Sequence, residues 1–193
     1  MRCPNQFLVK PAGGRRYDNV SKYGDVEFIT SSSQEDHTVS NRYAEVISTP
    51  IMYDGPIEAG DTLLVHHNVF KKYYDMKGRE KSGPCHFRND LFMVEPDQFF
   101  LYKKDGKWHT HSRYCFVRPL ENLDADIFNM NIENNNHLHL VGEVVYSNAQ
   151  LEELGVEPGD IIGFQPHSEY PFTIEGEVLY RMFTKNICIK IST

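Results

Sequence analysis

Helical periodicity is almost missing from this chain of 193 residues. Only residues 148–154 read as a helix, where Asn148 can cap a short turn and Gly155 can end it. No apolar run approaches the roughly 18 residues that a membrane span needs. The opening residues, Met1-Arg2-Cys3-Pro4-Asn5, lack the apolar stretch of a signal peptide, so the expectation is a cytoplasmic protein with no membrane partner. Cysteine is sparse and scattered. Cys3, Cys85, Cys115 and Cys188 form no C-x-x-C pair, which suits unpaired thiols in a reducing compartment better than a disulfide framework. Positive charge is also short: 20 Lys+Arg against 27 Asp+Glu leave −7 and a pI near 5.7. That balance opposes nucleic-acid binding by bulk charge. Finally, there is no G-x-S-x-G, no glycine-rich phosphate loop, no H-E-x-x-H and no nucleophile–base spacing. Neither an enzyme nor a cofactor is expected.

Aromatic mass, by contrast, is plentiful. Twelve Phe, 11 Tyr and one Trp within a 40% hydrophobic composition supply a buried core and argue against disorder. The length allows one generous domain or two small ones. Short runs rich in Val, Ile, Phe and Tyr alternate with Gly, Pro, Asn and Asp, and predict strands at 6–10, 43–48, 62–67, 91–94, 98–103, 108–118, 138–146, 161–164, 178–182 and 187–191. The fold class is therefore all-β, a sandwich or barrel. Three stretches break the rhythm: 11–42, with Gly13-Gly14 and Ser31-Ser32-Ser33; the basic, Gly-containing 71–88; and 120–136, with Asn134-Asn135-Asn136. Each reads as a long loop.

The two halves resemble each other. Ala44-Glu45-Val46-Ile47 leads to Gly60-Asp61, and Gly142-Glu143-Val144-Val145 leads to Gly159-Asp160, fifteen and sixteen residues on from the glutamates. Each Gly-Asp opens an apolar strand, Thr62-Leu63-Leu64-Val65 or Ile161-Ile162-Gly163-Phe164. Each half begins on an apolar pair, a base and a proline, Leu8-Val9-Lys10-Pro11 or Phe116-Val117-Arg118-Pro119, and closes on two β-runs. One matched pair would be chance, whereas four in the same order at near-constant spacing favour an internal duplication.

This arrangement resembles the GroES (chaperonin-10) co-chaperonin family, with its small β-barrel present twice. The second half carries the closer likeness: Gly142-Glu143-Val144, Val156-Glu157-Pro158-Gly159-Asp160-Ile161-Ile162-Gly163-Phe164, and Gly176-Glu177-Val178-Leu179-Tyr180. The first shows Ala44-Glu45-Val46, Ile57-Glu58-Ala59-Gly60-Asp61-Thr62 and Asp90-Leu91-Phe92-Met93-Val94. The resemblance implies two GroES-like barrels in tandem with long loops, one over 1–107 and one over 108–193. The first would carry a mobile loop at 11–42 and a basic insertion at 71–88. The implied function is that of a co-chaperonin that caps a GroEL-like chaperonin ring as a homo-oligomer and, through that ring, serves unfolded polypeptide. The divergence from the family pattern suits a viral copy.

In the family an apolar segment of the mobile loop orders on the chaperonin, and the ordering entropy keeps that binding reversible. The corresponding contacts here would be Val26, Phe28 and Ile29. Asp25 and Glu27 depart from the family's apolar pattern, and the alternation of Val26 and Phe28 equally describes an edge hairpin packed on the barrel. In the second half Ile127, Phe128 and Ile132 take the same place, either as a second docking segment or as a cap over an open barrel end. Their apolar density and the shorter span favour the cap.

Other chemistries are weaker. His109 with His111, and His137 with His139, share strand faces, and Cys115, Cys85-His86 or His66-His67 could complete a metal site. No closed-site ligand spacing is present, so surface or cross-strand histidines are the preferred reading. Lys71-Lys72-Tyr73-Tyr74, with Lys77, Arg79, Lys81 and Arg88, mixes cations and aromatics as single-strand binders do. Asp75, Glu80 and the net charge make a solvated hairpin insertion preferable. Zinc alcohol dehydrogenases also carry a GroES-like barrel, but their cysteine-rich lobe and dinucleotide-binding half have no counterpart here. The alternative function is a structural or interaction protein that keeps the barrel without binding a chaperonin.

Overall fold

Runs of Phe, Val, Leu and Ile between turn residues become strands, because such side chains fit a pleated, half-buried surface. The computed structural model describes residues 1–17, 39–111, 113–120 and 140–191, and the backbone of 20–23 and 26–29. The chain divides into two compact units, Met1–His109 and Thr110–Thr193.

The first unit holds β1 (Phe7–Pro11), β2 (Val20–Tyr23), β3 (Val26–Ile29), β4 (Tyr43–Ser48), β5 (Thr62–Val65), β6 (Lys72–Tyr74), β7 (Glu80–Ser82), β8 (His86–Arg88), β9 (Leu91–Val94) and β10 (Phe99–Lys104); β11 (Lys107–Thr110) closes it. Seven strands form one sheet in the order β11-β10-β5-β4-β1-β9-β8, while β2–β3 and β6–β7 are separate two-stranded ribbons. The second unit holds β12 (Tyr114–Pro119), β13 (Val141–Tyr146), α1 (Ala149–Glu153), which is the only α-helix among the described residues, β14 (Ile161–Phe164), β15 (Tyr170–Ile174), β16 (Glu177–Phe183) and β17 (Ile187–Ile191). Its sheet runs β15-β16-β12-β13-β14-β17.

The all-β expectation holds. The closed barrel does not appear among the described residues: β8 and β11 are edges of the first sheet, and β15 and β17 of the second. Closure is a pairing between the two outermost strands, and no local pattern in the sequence encodes it. Each open sheet nevertheless gathers one buried cluster. In the first unit Phe7, Val9, Val46, Leu63, Phe92 and Phe99, drawn from five neighbouring strands, meet in one buried cluster. In the second Cys115, Val117, Val144, Ile162 and Met182 do the same, with Leu151 of α1.

The two sheets share their register. Val9 faces Val46, Lys10 faces Glu45 and Pro11 faces Ala44, with a bulge before Leu8↔Ser48. Val117 faces Val144, Arg118 faces Glu143 and Pro119 faces Gly142, with a bulge before Phe116↔Tyr146. A second bulge recurs where β10 leaves β5 and where β17 leaves β14.

Three expectations change in detail. The predicted strand 108–118 is two strands, β11 and β12, which belong to different sheets; between them the Tyr114 amide donates to the His111 carbonyl at 3.4 Å. The basic excursion and the segment before 177 contain β6, β7, β8 and β15. The helix forms as read from the sequence: the Asn148 side chain accepts from the Leu151 amide at 3.0 Å, and Gly155 follows at φ +77°.

Candidate interaction surfaces

The Gly-Asp turns are built alike. The Gly60 amide donates to the Val46 carbonyl at 2.8 Å, and the Gly159 amide to the Val144 carbonyl at 2.7 Å. Asp61 accepts on Oδ2 from the Glu58 amide at 2.8 Å, as Asp160 does from Glu157 at 2.7 Å. Gly60 and Gly159 stand at φ +97° and +95°, a region that a Cβ disfavours. Lys190 reaches Asp160 at 2.6 Å; its hydrogen bond first, and the Glu157 amide second, hold that carboxyl below the usual range. These residues set the entry of β5 and β14, a structural task.

Of the residues expected to meet a chaperonin, Val26, Phe28 and Ile29 lie in β3, which pairs antiparallel with β2. Val26 sits opposite Tyr23, Phe28 opposite Ser21 and Ile29 opposite Val20. The segment is thus a strand of a two-stranded sheet, inserted in the chain between β1 and β4. Ile127, Phe128 and Ile132 lie outside the described residues, as do His137 and His139.

The described histidines do not converge. His109 stacks on Tyr102 with centroids 5.1 Å apart, His66 lies against His67 at 4.1 Å, and a His86 ring nitrogen is 2.8 Å from the Asn89 carbonyl. Among the described residues no group of three His, Cys, Asp or Glu could hold a metal ion. All four cysteines are free. Cys85 and Cys115 are buried, and burial pushes the Cys115 thiol up to about 12, so it makes a poor nucleophile. No helix among the described residues is long and apolar enough to cross a membrane.

Three features escaped the sequence reading. Arg118 forks between Glu143, at 2.5 Å, and Glu177; the bond to Glu177 first, and that to Glu143 second, hold the guanidinium in its charged form. Strand register brings Arg118 and Glu143 together, and a correct pairing of Arg118-Pro119 with Gly142-Glu143 would have revealed it. Arg181 lies 5.1–5.4 Å from the ring centroids of Tyr114, Tyr170 and Phe183, and burial lowers its pKa. An open groove of about 600 Å³ is lined by Pro4, Asn5, Gln6, Glu95, Pro96 and Asp97. Across it the Gln6 amide donates to the Glu95 carboxylate at 3.1 Å.

The β6–β7 ribbon carries large exposed side chains on a braced frame. The Asp75 carboxylate accepts from the amides of Lys77 and Arg79 at 2.8 and 2.9 Å, and Lys72 pairs with Glu80 at 2.9 Å. Its base is tied down by the Lys72 amide on the Tyr17 hydroxyl at 2.7 Å and by Arg16 on Ser82 at 3.1 Å. From this frame Tyr73, Tyr74 and Met76 project at 49%, 60% and 106% exposure.

Compared with known proteins, the chain matches no protein-family model and no curated protein.

Proposed function

We propose that the chain is a co-chaperonin-like protein of the GroES type, which caps a GroEL-like chaperonin ring and has no catalysis of its own. One observation carries the reading. Both units repeat a single strand plan in the same register, and both place a long connection between the same two strands, β1 to β4 and β12 to β13. That is the position at which the GroES family carries its chaperonin-binding loop. In the first unit the connection includes the Val26-Glu27-Phe28-Ile29 strand. In this reading the chain works as a homo-oligomer in the cytoplasm, with unfolded polypeptide reached only through the ring.

The test is a pull-down of a chaperonin ring with the full chain, together with inhibition of the ring's ATPase. Wild type should bind, and Val26→Asp with Phe28→Asp should weaken binding at least ten-fold. Absence of binding by wild type overturns the reading. A second reading, an interaction protein that keeps the fold without the chaperonin, is favoured by the pairing of β3 with β2, since that segment already has a β-partner in the isolated chain. It predicts no binding by either form.

A further inference from the structure

The β6–β7 ribbon is a cationic projection on an acidic chain. Between residues 71 and 82 five basic side chains stand against two acidic ones, net +3, so the rest of the −7 chain carries −10. Lys72 and Arg79 are engaged by Glu80 and Asp75, whereas exposed Lys77 and Lys81 have no ion-pair partner among the described residues. Tyr73 and Tyr74 are successive residues of one strand, so each face of the ribbon presents a tyrosine, with Met76 at the tip. Exposed Tyr, Met and Arg are the composition of interface anchors. The Asp75 turn and the Tyr17 and Arg16 ties hold the ribbon in shape before anything binds, which lowers the ordering cost of association.

The same unit carries a surface of the opposite character. The Pro4–Gln6 and Glu95–Asp97 groove combines the apolar walls of Pro4 and Pro96 with the exposed carboxylates of Glu95 and Asp97. We propose that the β6–β7 ribbon of one chain docks in this groove of a second copy, with Tyr74 and Met76 against the prolines and Lys77 and Lys81 facing Glu95 and Asp97. A second copy is favoured over a polyanion such as single-stranded nucleic acid. The copy brings a groove whose prolines and carboxylates match both the apolar and the cationic side chains of the ribbon. Because ribbon and groove are different patches, the contact is heterologous and generates a head-to-tail series that closes as a ring or continues as a filament. The inference deepens the co-chaperonin reading, and rests on it only in taking a ring as the product.

The test is sedimentation velocity of the full chain over a concentration series at low and high salt. Wild type should assemble, less so at high salt, and Lys77→Glu with Lys81→Glu should raise the dissociation constant at least ten-fold. Glu95→Lys with Asp97→Lys should do the same. Mixing the two charge-reversed proteins should restore assembly, which also shows that both fold. A wild type that assembles regardless of ribbon reversal overturns the contact and leaves the proposed function standing. A wild type that stays monomeric overturns both the contact and the ring. Ribbon-dependent assembly with an empty chaperonin pull-down keeps the contact and overturns the function. Loss of oligo-dT binding on ribbon reversal, with assembly unchanged, makes the ribbon a nucleic-acid contact and overturns the inference.

Discussion

At the centre of the first core stands Phe7; at the matching position of the second stands Cys115. The match is set by register, since Phe7 faces Val94 on β9 and Cys115 faces Met182 on β16. Phe7 packs edge-to-face on Phe99 and Tyr53 at 5.4 and 4.9 Å, and Phe70 meets Phe92 in the same way at 4.9 Å. The second core replaces this aromatic lattice with smaller side chains and a helix. Leu151 of α1 fills space, and Asn148 ties the helix to the Tyr114 carbonyl and the Thr184 hydroxyl, each at 2.8 Å. One strand plan thus accepts two packing solutions, because register is set by bulges and Gly-Asp turns while volume can be supplied by different side chains.

The largest test of that contrast is truncation at the shared position. Phe7→Ala should cost about 3–5 kcal/mol, through lost transfer energy and a cavity in the aromatic lattice. Cys115→Ala should cost about 1 kcal/mol. Denaturant unfolding measures both, with Trp108, the chain's one tryptophan, reporting on the first unit. Equal costs would mean that the two cores differ in composition and not in energetics.

The second test uses pH. Burial raises the Cys115 thiol from 9.0 to about 12. Above pH 9 the unfolded chain releases this proton while the folded chain keeps it, so the folded state binds more protons. The stabilisation is therefore complete below pH 9 and falls by up to roughly 4 kcal/mol as the pH rises towards 12. Stability against pH should decline less steeply in Cys115→Ala. Identical slopes would place the thiol in contact with solvent.

The third and smallest test exchanges the residues opposite the two prolines. A Cβ on Gly142 would meet the Arg118 carbonyl at 2.6 Å and Val117 Cγ1 at 2.4 Å, whereas Ala44 holds the corresponding place in the first unit. Gly142→Ala should cost about 1–3 kcal/mol. Ala44→Gly should cost about 1–2 kcal/mol, through backbone freedom and the loss of a buried methyl. Shifts in the unfolding midpoint decide it; a neutral Gly142→Ala would show that β12 and β13 can separate freely.

Legibility in the sequence followed the physics of each element. β4, β5, β9, β14 and β17 are apolar runs between turn residues, and Asn148 with Gly155 marks the helix. β7 is Glu80-Lys81-Ser82 and β6 is Lys72-Tyr73-Tyr74, each too short to show a period; such ribbons persist through the Asp75 turn and the Tyr17 tie, neither of which leaves a periodic signal. β15 contains Pro171, which lowers strand propensity yet suits an edge, where a missing N–H costs nothing. The strand plan common to the two units was legible because Gly60-Asp61 and Gly159-Asp160 hold the same backbone shape. Its one-residue difference in spacing falls where the second unit inserts α1 and the first runs through the turn at Tyr53. The groove was not legible at all, since it joins residues about ninety positions apart through the pairing of β1 with β9.

The bulge at Leu8/Val9, repeated at Phe116/Val117, has a consequence for how the chain can change. Beyond it, Ile47 and Val145 are the unmatched residues that let one strand slip a half-step against its neighbour. Deleting either would leave Ser48 next to Val46, or Tyr146 next to Val144, on a regular ladder with the partners they already face. The loss would fall on the bend and local twist that the extra residue gives its strand, and not on which side chains meet the core. Each extra residue therefore works as a fitted spacer: the strand's partners survive its removal, and the curve they follow does not.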